Sequence, residues 1–180
     1  MIIGLYSSRP QCGKSTVAQY LAAHRGFKVL SFATPFKRML EVLVRAAGYH
    51  PSVLENKTEP LARLGGATPR RLMQTLGTEW GRTQIASDIW VSILVHRINV
   101  RNGDNFVVDD MRFPNEYEAL LALGAQLWHV WRPGESNLTA HASEGSLDTY
   151  HFHSVLRNDG DLGKLFIEAD MYLQLAEMRR

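Results

Sequence analysis

Apolar residues come in two rhythms along this chain: short unbroken runs, and longer stretches with one apolar position every three or four residues. IIGLYS (2–7) is a run that ends in small polar residues. SRPQCGKST follows, then VAQYLAAHRG with helical spacing and a glycine stop. The start therefore reads as strand, glycine-containing loop, helix. FKVLSF (27–32) reads as a second buried strand. TPFKRMLEVLVRAAG reads as a helix with Thr34 as N-cap, Pro35 at its first position and Gly48 as its stop. Residues 49–68 are polar and rich in turn formers, and read mostly as loop. TPRRLMQTLGTEWGR predicts a short helix with a glycine break, and SDIWVSILVHRINVRNG a buried helix with a broad apolar face. FVVDD predicts a strand ending in acids, FPNEYEALLALG a helix between Pro114 and Gly124, and AQLWHVWR a strand. PGESNLTAHASEGSLDT is polar and irregular, YHFHSVL predicts a short strand, and DLGKLFIEADMYLQLAEM the closing helix.

Such βα alternation, with extra helices in the middle, predicts an α/β fold: a parallel sheet flanked by helices. Ligands of such sheets collect at the carboxyl ends of the strands. The segments that carry candidate chemistry all follow strands: SRPQCGKST, DDMRF, the loop after Arg132 and RNDG.

Composition narrows the choices. A chain of 180 residues with 45% hydrophobic content fits one domain with a real core. Its apolar runs fall short of the roughly 18 residues that cross a bilayer. MIIGLYSSRP has no basic segment before its apolar run and no cleavage site after it, so no signal peptide is expected. Cys12 is the one cysteine, which excludes an internal disulfide and suits a reducing cytoplasm. The net charge is +2, from 20 basic and 18 acidic residues. Apart from Arg70-Arg71 and Arg179-Arg180 the basic residues are dispersed, which argues for a polyphosphate ligand over a nucleic-acid duplex.

Ser8 to Ser15 reads S-R-P-Q-C-G-K-S, close to the phosphate-loop pattern G-x-x-x-x-G-K-[ST]. Backbone amides of such a loop and the N-terminus of the next helix attract phosphate oxygens. Gly13 supplies backbone freedom, Lys14 reaches the β- and γ-phosphates, and Ser15 offers its hydroxyl to Mg²⁺. Arg9, Cys12 and Thr16 complete the expected nucleotide contacts. Ser8 departs from the pattern, which wants glycine there. Asp109 and Asp110 end a buried strand, where an acid commonly supports Mg²⁺. Only one of them can face the site, because alternate residues of a strand point to opposite sides. Which of the two faces the metal stays open; Asp109 is taken as the metal residue and Asp110 as a catalytic and substrate residue. Arg112 has the planar fork for a phosphate, and Asn115 and Glu116 stand where they can cap the following helix. His151 and His153 alternate along the chain but lack further spaced ligands, so they are read as structural.

With GKST, SFATPFK, LGTEWGR, DIWV, DDMRFPNE, HASE and RNDGDL in this order, the chain resembles the phage and bacterial deoxynucleoside monophosphate kinase family from about residue 2 to about residue 168. The resemblance implies a P-loop NTPase-type sheet with a helical acceptor-binding insertion (about 34–100) and a lid (about 132–147). It implies ATP and Mg²⁺, and phosphorylation of a deoxynucleoside monophosphate to the diphosphate. Carried over by position, Trp80 stacks on the acceptor base, Arg82 binds its phosphate, and Arg70 or Arg71 faces that phosphate. Arg132 neutralises the transferring phosphoryl group, His141 and Glu144 order the lid, and backbone near Asn158 reads the adenine. HASE replaces the H-P-S-E of related sequences, where proline would stiffen the turn. Three readings stay open beside it: the same chemistry on another acceptor such as dephospho-CoA, a regulatory nucleotide switch, and a nucleic-acid-dependent ATPase. A homodimer also stays open.

Overall fold

Ile2–Tyr6 forms β1 because five mostly apolar residues are buried on both faces, as the central strand of a parallel sheet requires. The computed structural model describes residues 1–101, 103–134 and 145–178. These fall into two compact units, Met1–Ser31 with Val95 onward, and Phe32–Leu94. The boundary lies inside a helix, Ile89–Asn99.

In the first unit β1 is joined by β2 (Phe27–Leu30), β3 (Asn105–Val108), β4 (Gln126–Trp131) and β5 (Ser154–Arg157). The order is β2-β3-β1-β4-β5 and every pairing is parallel. Gly4 lies opposite Val108 on one side and Leu127 on the other. A Cβ at Gly4 would meet Leu127 Cδ2 at 2.8 Å and Leu120 Cδ1 at 2.9 Å, so the absent side chain lets a helix settle onto the sheet. The helices of this unit are α1 (Lys14–Arg25), α5 (Pro114–Ala122) and α6 (Leu162–Met178). Ile3, Leu5, Val17, Leu21, Trp128 and Leu165 belong to one buried cluster. At the outer end of α1, Arg25 forks onto Asp170 of α6 at 2.8 and 2.6 Å, and the Tyr20 hydroxyl donates to the same carboxylate at 2.7 Å.

The last strand is shorter than YHFHSVL suggests, and the reason is local. The His153 ring nitrogen Nδ1 accepts the Leu127 amide at 3.0 Å, a donor that another strand residue would otherwise take. The ladder with β4 therefore begins at Trp128 and Ser154. His153 is thus occupied structurally, and no cluster of three metal-ligating side chains occurs among the described residues.

The second unit is helical. Its α2 (Thr34–Ala46) starts one residue earlier than expected, with Ala33 rather than Thr34 at the cap and Pro35 in the first turn. Inside 49–68 two short 3₁₀ turns form, Pro51–Leu54 and Ala62–Leu64. Leu40, Val44, Leu54 and Leu61 make the core of this unit. α3 (Pro69–Gln74) is capped by Thr68, whose hydroxyl accepts the Arg71 amide at 3.3 Å.

The expected glycine break is absent, because α3 runs on into a π-helix, Thr75–Ile85. Gly77 and Gly81 leave bare backbone against which rings lie. A Cβ at Gly77 would fall 3.1 Å from the Phe36 ring, and one at Gly81 2.8 Å from Trp90 Cε2. The buried Trp90 indole donates to the Gly77 carbonyl at 2.7 Å. Trp90 belongs to α4 (Ile89–Asn99). Among the described residues no helix is long and apolar enough to cross a membrane.

Candidate active site

The candidate residues of the first unit follow the carboxyl ends of its strands. After β1 the chain turns through Ser7–Gly13 before α1 starts at Lys14. Gln11 (φ 61) and Gly13 (φ 104) take left-handed backbone in that turn. The left-handed backbone calls for glycine, and a Cβ at Gly13 would also stand 2.7 Å from the Asn158 side-chain nitrogen, which would have to shift. Asn158, just beyond β5, donates from its side chain to the Cys12 carbonyl at 3.0 Å. It thereby holds the loop from the end of β5, which lies beyond β4 in the sheet. Cys12 is buried, and Thr16 sits in the first turn of α1.

Lys14 Nζ donates to the Ser7 hydroxyl. Burial, and next the positive charge of Arg112, hold the Lys14 ammonium below the usual lysine range, while Asp109 and Asp110 oppose the shift. A strained cation of this kind gains strongly from an arriving anion. Ser15 Oγ lies 3.3 Å from Asp109 Oδ2, so a hydroxyl and a carboxylate meet at the head of α1. Such an oxygen pair is the donor chemistry a hard divalent cation uses alongside phosphate and water. Asp110 is turned to Ser31 at the end of β2, whose hydroxyl donates to it at 2.6 Å.

The Arg112 turn is fixed from below. The Glu116 carboxylate, 2% exposed, accepts the Arg112 amide at 2.7 Å and the Phe113 amide at 3.1 Å. This is the capping role expected of Glu116, and it orients the arginine backbone. Across the loop, Arg9 donates to the carbonyls of Gly134 (2.8 Å) and Arg132. Arg132 returns a bond to the Gln11 carbonyl at 3.4 Å.

Lys14, Ser15, Asp109, Asp110, Arg112, Arg9, Arg132 and Asn158 thus share one end of the sheet. Arg70, Trp80 and Arg82 lie in the second unit. Arg70 is exposed, Trp80 is half-buried with its ring 6.5 Å from that of Trp90, and Arg82 donates to the Ser87 carbonyl at 3.2 Å. Glu144 and His141 lie outside the described residues. Ser7, Ser31 and Asp148 were not singled out from the sequence. The signal for Ser7 was available, since it is the small polar residue that ends an apolar run.

A family model described as deoxynucleotide monophosphate kinase matches residues 66–168, more than half of the chain. The chain is similar to a putative deoxynucleotide monophosphate kinase of Acanthamoeba polyphaga mimivirus, 29% identical over 87% of this chain and 86% of that protein. It is 36% identical to the deoxynucleotide monophosphate kinase of Enterobacteria phage T4 over 54% of this chain and 42% of that protein. A third relative, the deoxynucleoside-5'-monophosphate kinase of Escherichia phage T5, is 32% identical over 68% of this chain and 52% of that one. The chain therefore spans about half or less of the length of these phage relatives. Among solved structures, a dephospho-CoA kinase from Campylobacter jejuni superposes with a TM-score of 0.55 at 14% identity, covering 97% of this chain and 96% of that one. That likeness shows the fold.

Proposed function

The chain belongs to the deoxynucleotide monophosphate kinase family, and from that premise we propose that it transfers the γ-phosphoryl group of ATP to a deoxynucleoside monophosphate. The observation that carries the reading is the convergence of Lys14, Ser15 and Asp109 at the head of α1, beside a loop shaped by Gln11 and Gly13. An oxygen of the acceptor phosphate forms a bond to Pγ as the bridge from Pγ to the β-phosphate breaks. ADP leaves, and the acceptor becomes a diphosphate. The attacking oxygen is already anionic, so no strong base is needed; alignment and charge neutralisation do the work.

Loop amides and the positive end of α1 hold the ATP phosphates. Lys14 gives up its bond to Ser7 and donates to the β- and γ-phosphates. Ser15 and Asp109 would hold Mg²⁺, which when bound neutralises charge on the phosphate oxygens. Arg9, Cys12 and Thr16 line the nucleotide side, and backbone near Asn158 faces the adenine. Arg112, Asp110 and Arg132 act on the transferring group and the acceptor. For the acceptor, Trp80 stacks on the base and Arg70 and Arg82 bind the phosphate. The same fold with dephospho-CoA as acceptor has structural likeness alone behind it.

Lys14→Ala tests the reading. Removing one well-placed charge contact lowers the rate by about 10²–10³. The expected result is a folded variant, shown by an unchanged far-ultraviolet spectrum and melting curve, with turnover reduced at least that far. A folded Lys14→Ala protein that forms ADP at the wild-type rate sinks it.

A further inference from the structure

Ser8 stands where the phosphate-loop pattern has glycine, and its side chain is engaged. The hydroxyl donates to Asp148 Oδ1 at 2.6 Å, and the same oxygen accepts the buried Tyr6 hydroxyl at 2.7 Å. Tyr6 is the last residue of β1, stacked on Phe152 with centroids 5.2 Å apart and planes 8° from parallel. His129 of β4 reaches the Ser8 oxygen through Nε2 at 3.4 Å. Ser8 has one proton, and it goes to the carboxylate. The serine can then only accept from His129, which places the imidazole proton on Nε2. The chain of bonds runs His129 to Ser8 to Asp148, with Tyr6 entering from the other side. Asp148 itself is set in a turn, its amide bonded to the Gly145 carbonyl at 3.1 Å.

A glycine at the first loop position works through backbone freedom. Serine lacks that freedom, and here a carboxylate grips its hydroxyl instead. Hydrogen bonds to an ionised acceptor are the stronger kind, and this acceptor takes two. The next residue is gripped as well, since Arg9 bonds the carbonyls of Arg132 and Gly134. We infer that Asp148 is a positioning residue of the phosphate loop, which it holds in its nucleotide-binding shape through the Ser8 hydroxyl. It touches no reacting atom. The inference rests on the reading of this loop as the ATP site.

The test is a cycle of variants, wild type, Asp148→Ala, Ser8→Gly and the pair, read by calorimetric binding of MgADP and by steady-state kinetics. Losing the grip on Ser8 weakens MgADP binding and raises the KM for ATP about tenfold, with the acceptor KM unchanged. In the Ser8→Gly background, where glycine restores backbone freedom, Asp148→Ala has no further effect on MgADP binding. Melting curves report folding, and Asp148→Asn, which keeps the volume and a neutral acceptor, falls between wild type and Asp148→Ala in affinity. Should Asp148→Ala not fold, the cycle is run with Asp148→Asn, and its small loss must likewise vanish in Ser8→Gly. Wild-type affinity in a folded Asp148→Ala protein, or equal losses in the wild-type and Ser8→Gly backgrounds, overturns the inference while leaving the nucleotide reading intact. A wild-type protein that binds no MgADP overturns the nucleotide reading and this inference with it.

Discussion

Gly81→Ala puts the packing of the π-helix to a quantitative test. The added Cβ would lie 2.8 Å from Trp90 Cε2, 2.9 Å from Nε1, and closer still to Cζ2. Trp90 is 2% exposed, so the ring has no open space to retreat into. Alanine in a helix interior gains about 0.5–1 kcal/mol over glycine. Against this, overpacking a filled core destabilises by about 1–3 kcal/mol. If the ring shifts, its N–H also leaves the Gly77 carbonyl, now 2.7 Å away, and a buried donor without a partner adds about 1–3 kcal/mol. The net expectation is a loss of about 3 kcal/mol, a fall in Tm of roughly 6–12 °C for a chain of this size. Urea unfolding followed by tryptophan fluorescence measures it. In a Trp90→Leu background the clash is gone, and Gly81→Ala becomes neutral or mildly stabilising. A Gly81→Ala protein as stable as wild type, or equal losses in both backgrounds, would refute the packing account.

Further outcomes follow from the first unit. Gly13→Ala meets both a left-handed backbone and the Asn158 amide nitrogen at 2.7 Å, so nucleotide binding falls by at least about tenfold in calorimetry. Asp109→Asn raises the Mg²⁺ concentration for half-maximal turnover about tenfold, whereas Asp110→Asn, turned toward Ser31, alters acceptor kinetics more than Mg²⁺ demand. His129 is held below the usual histidine range, first by burial and also by Lys14, with Asp148 pulling the other way. Its unfolded form takes up a proton near pH 6.5 and the folded form only at lower pH. Acidification through that window therefore destabilises the fold, and stability returns as pH rises past the unfolded value. Urea midpoints at neutral and mildly acidic pH fall less for His129→Gln than for wild type; an identical fall in both would contradict this.

The sheet was legible because its strands are short, mostly apolar runs and β1, β2, β3 and β5 each lead into a helix of clear period. The phosphate loop was legible because Gly13-Lys14-Ser15 stands between such a strand and such a helix. The π-helix was not. Gly77 and Gly81 look like breaks in a linear reading, and only the rings of Phe36 and Trp90 lying on them explain why the helix continues. Strand alternation said that Asp109 and Asp110 face different ways without saying which way each turns. That is decided by hydroxyl partners, Ser15 and Ser31, 94 and 79 residues distant in sequence. Ser8 read as a departure from pattern for the same reason, since its partner Asp148 lies 140 residues on.

ADP formation from Mg-ATP, followed with a panel of deoxynucleoside monophosphates, ribonucleoside monophosphates and dephospho-CoA, tests the central claim most directly. The account predicts turnover that depends on one or more deoxynucleoside monophosphates and yields the matching diphosphate. Turnover with dephospho-CoA alone, or ADP release at the same rate with no acceptor present, would contradict it.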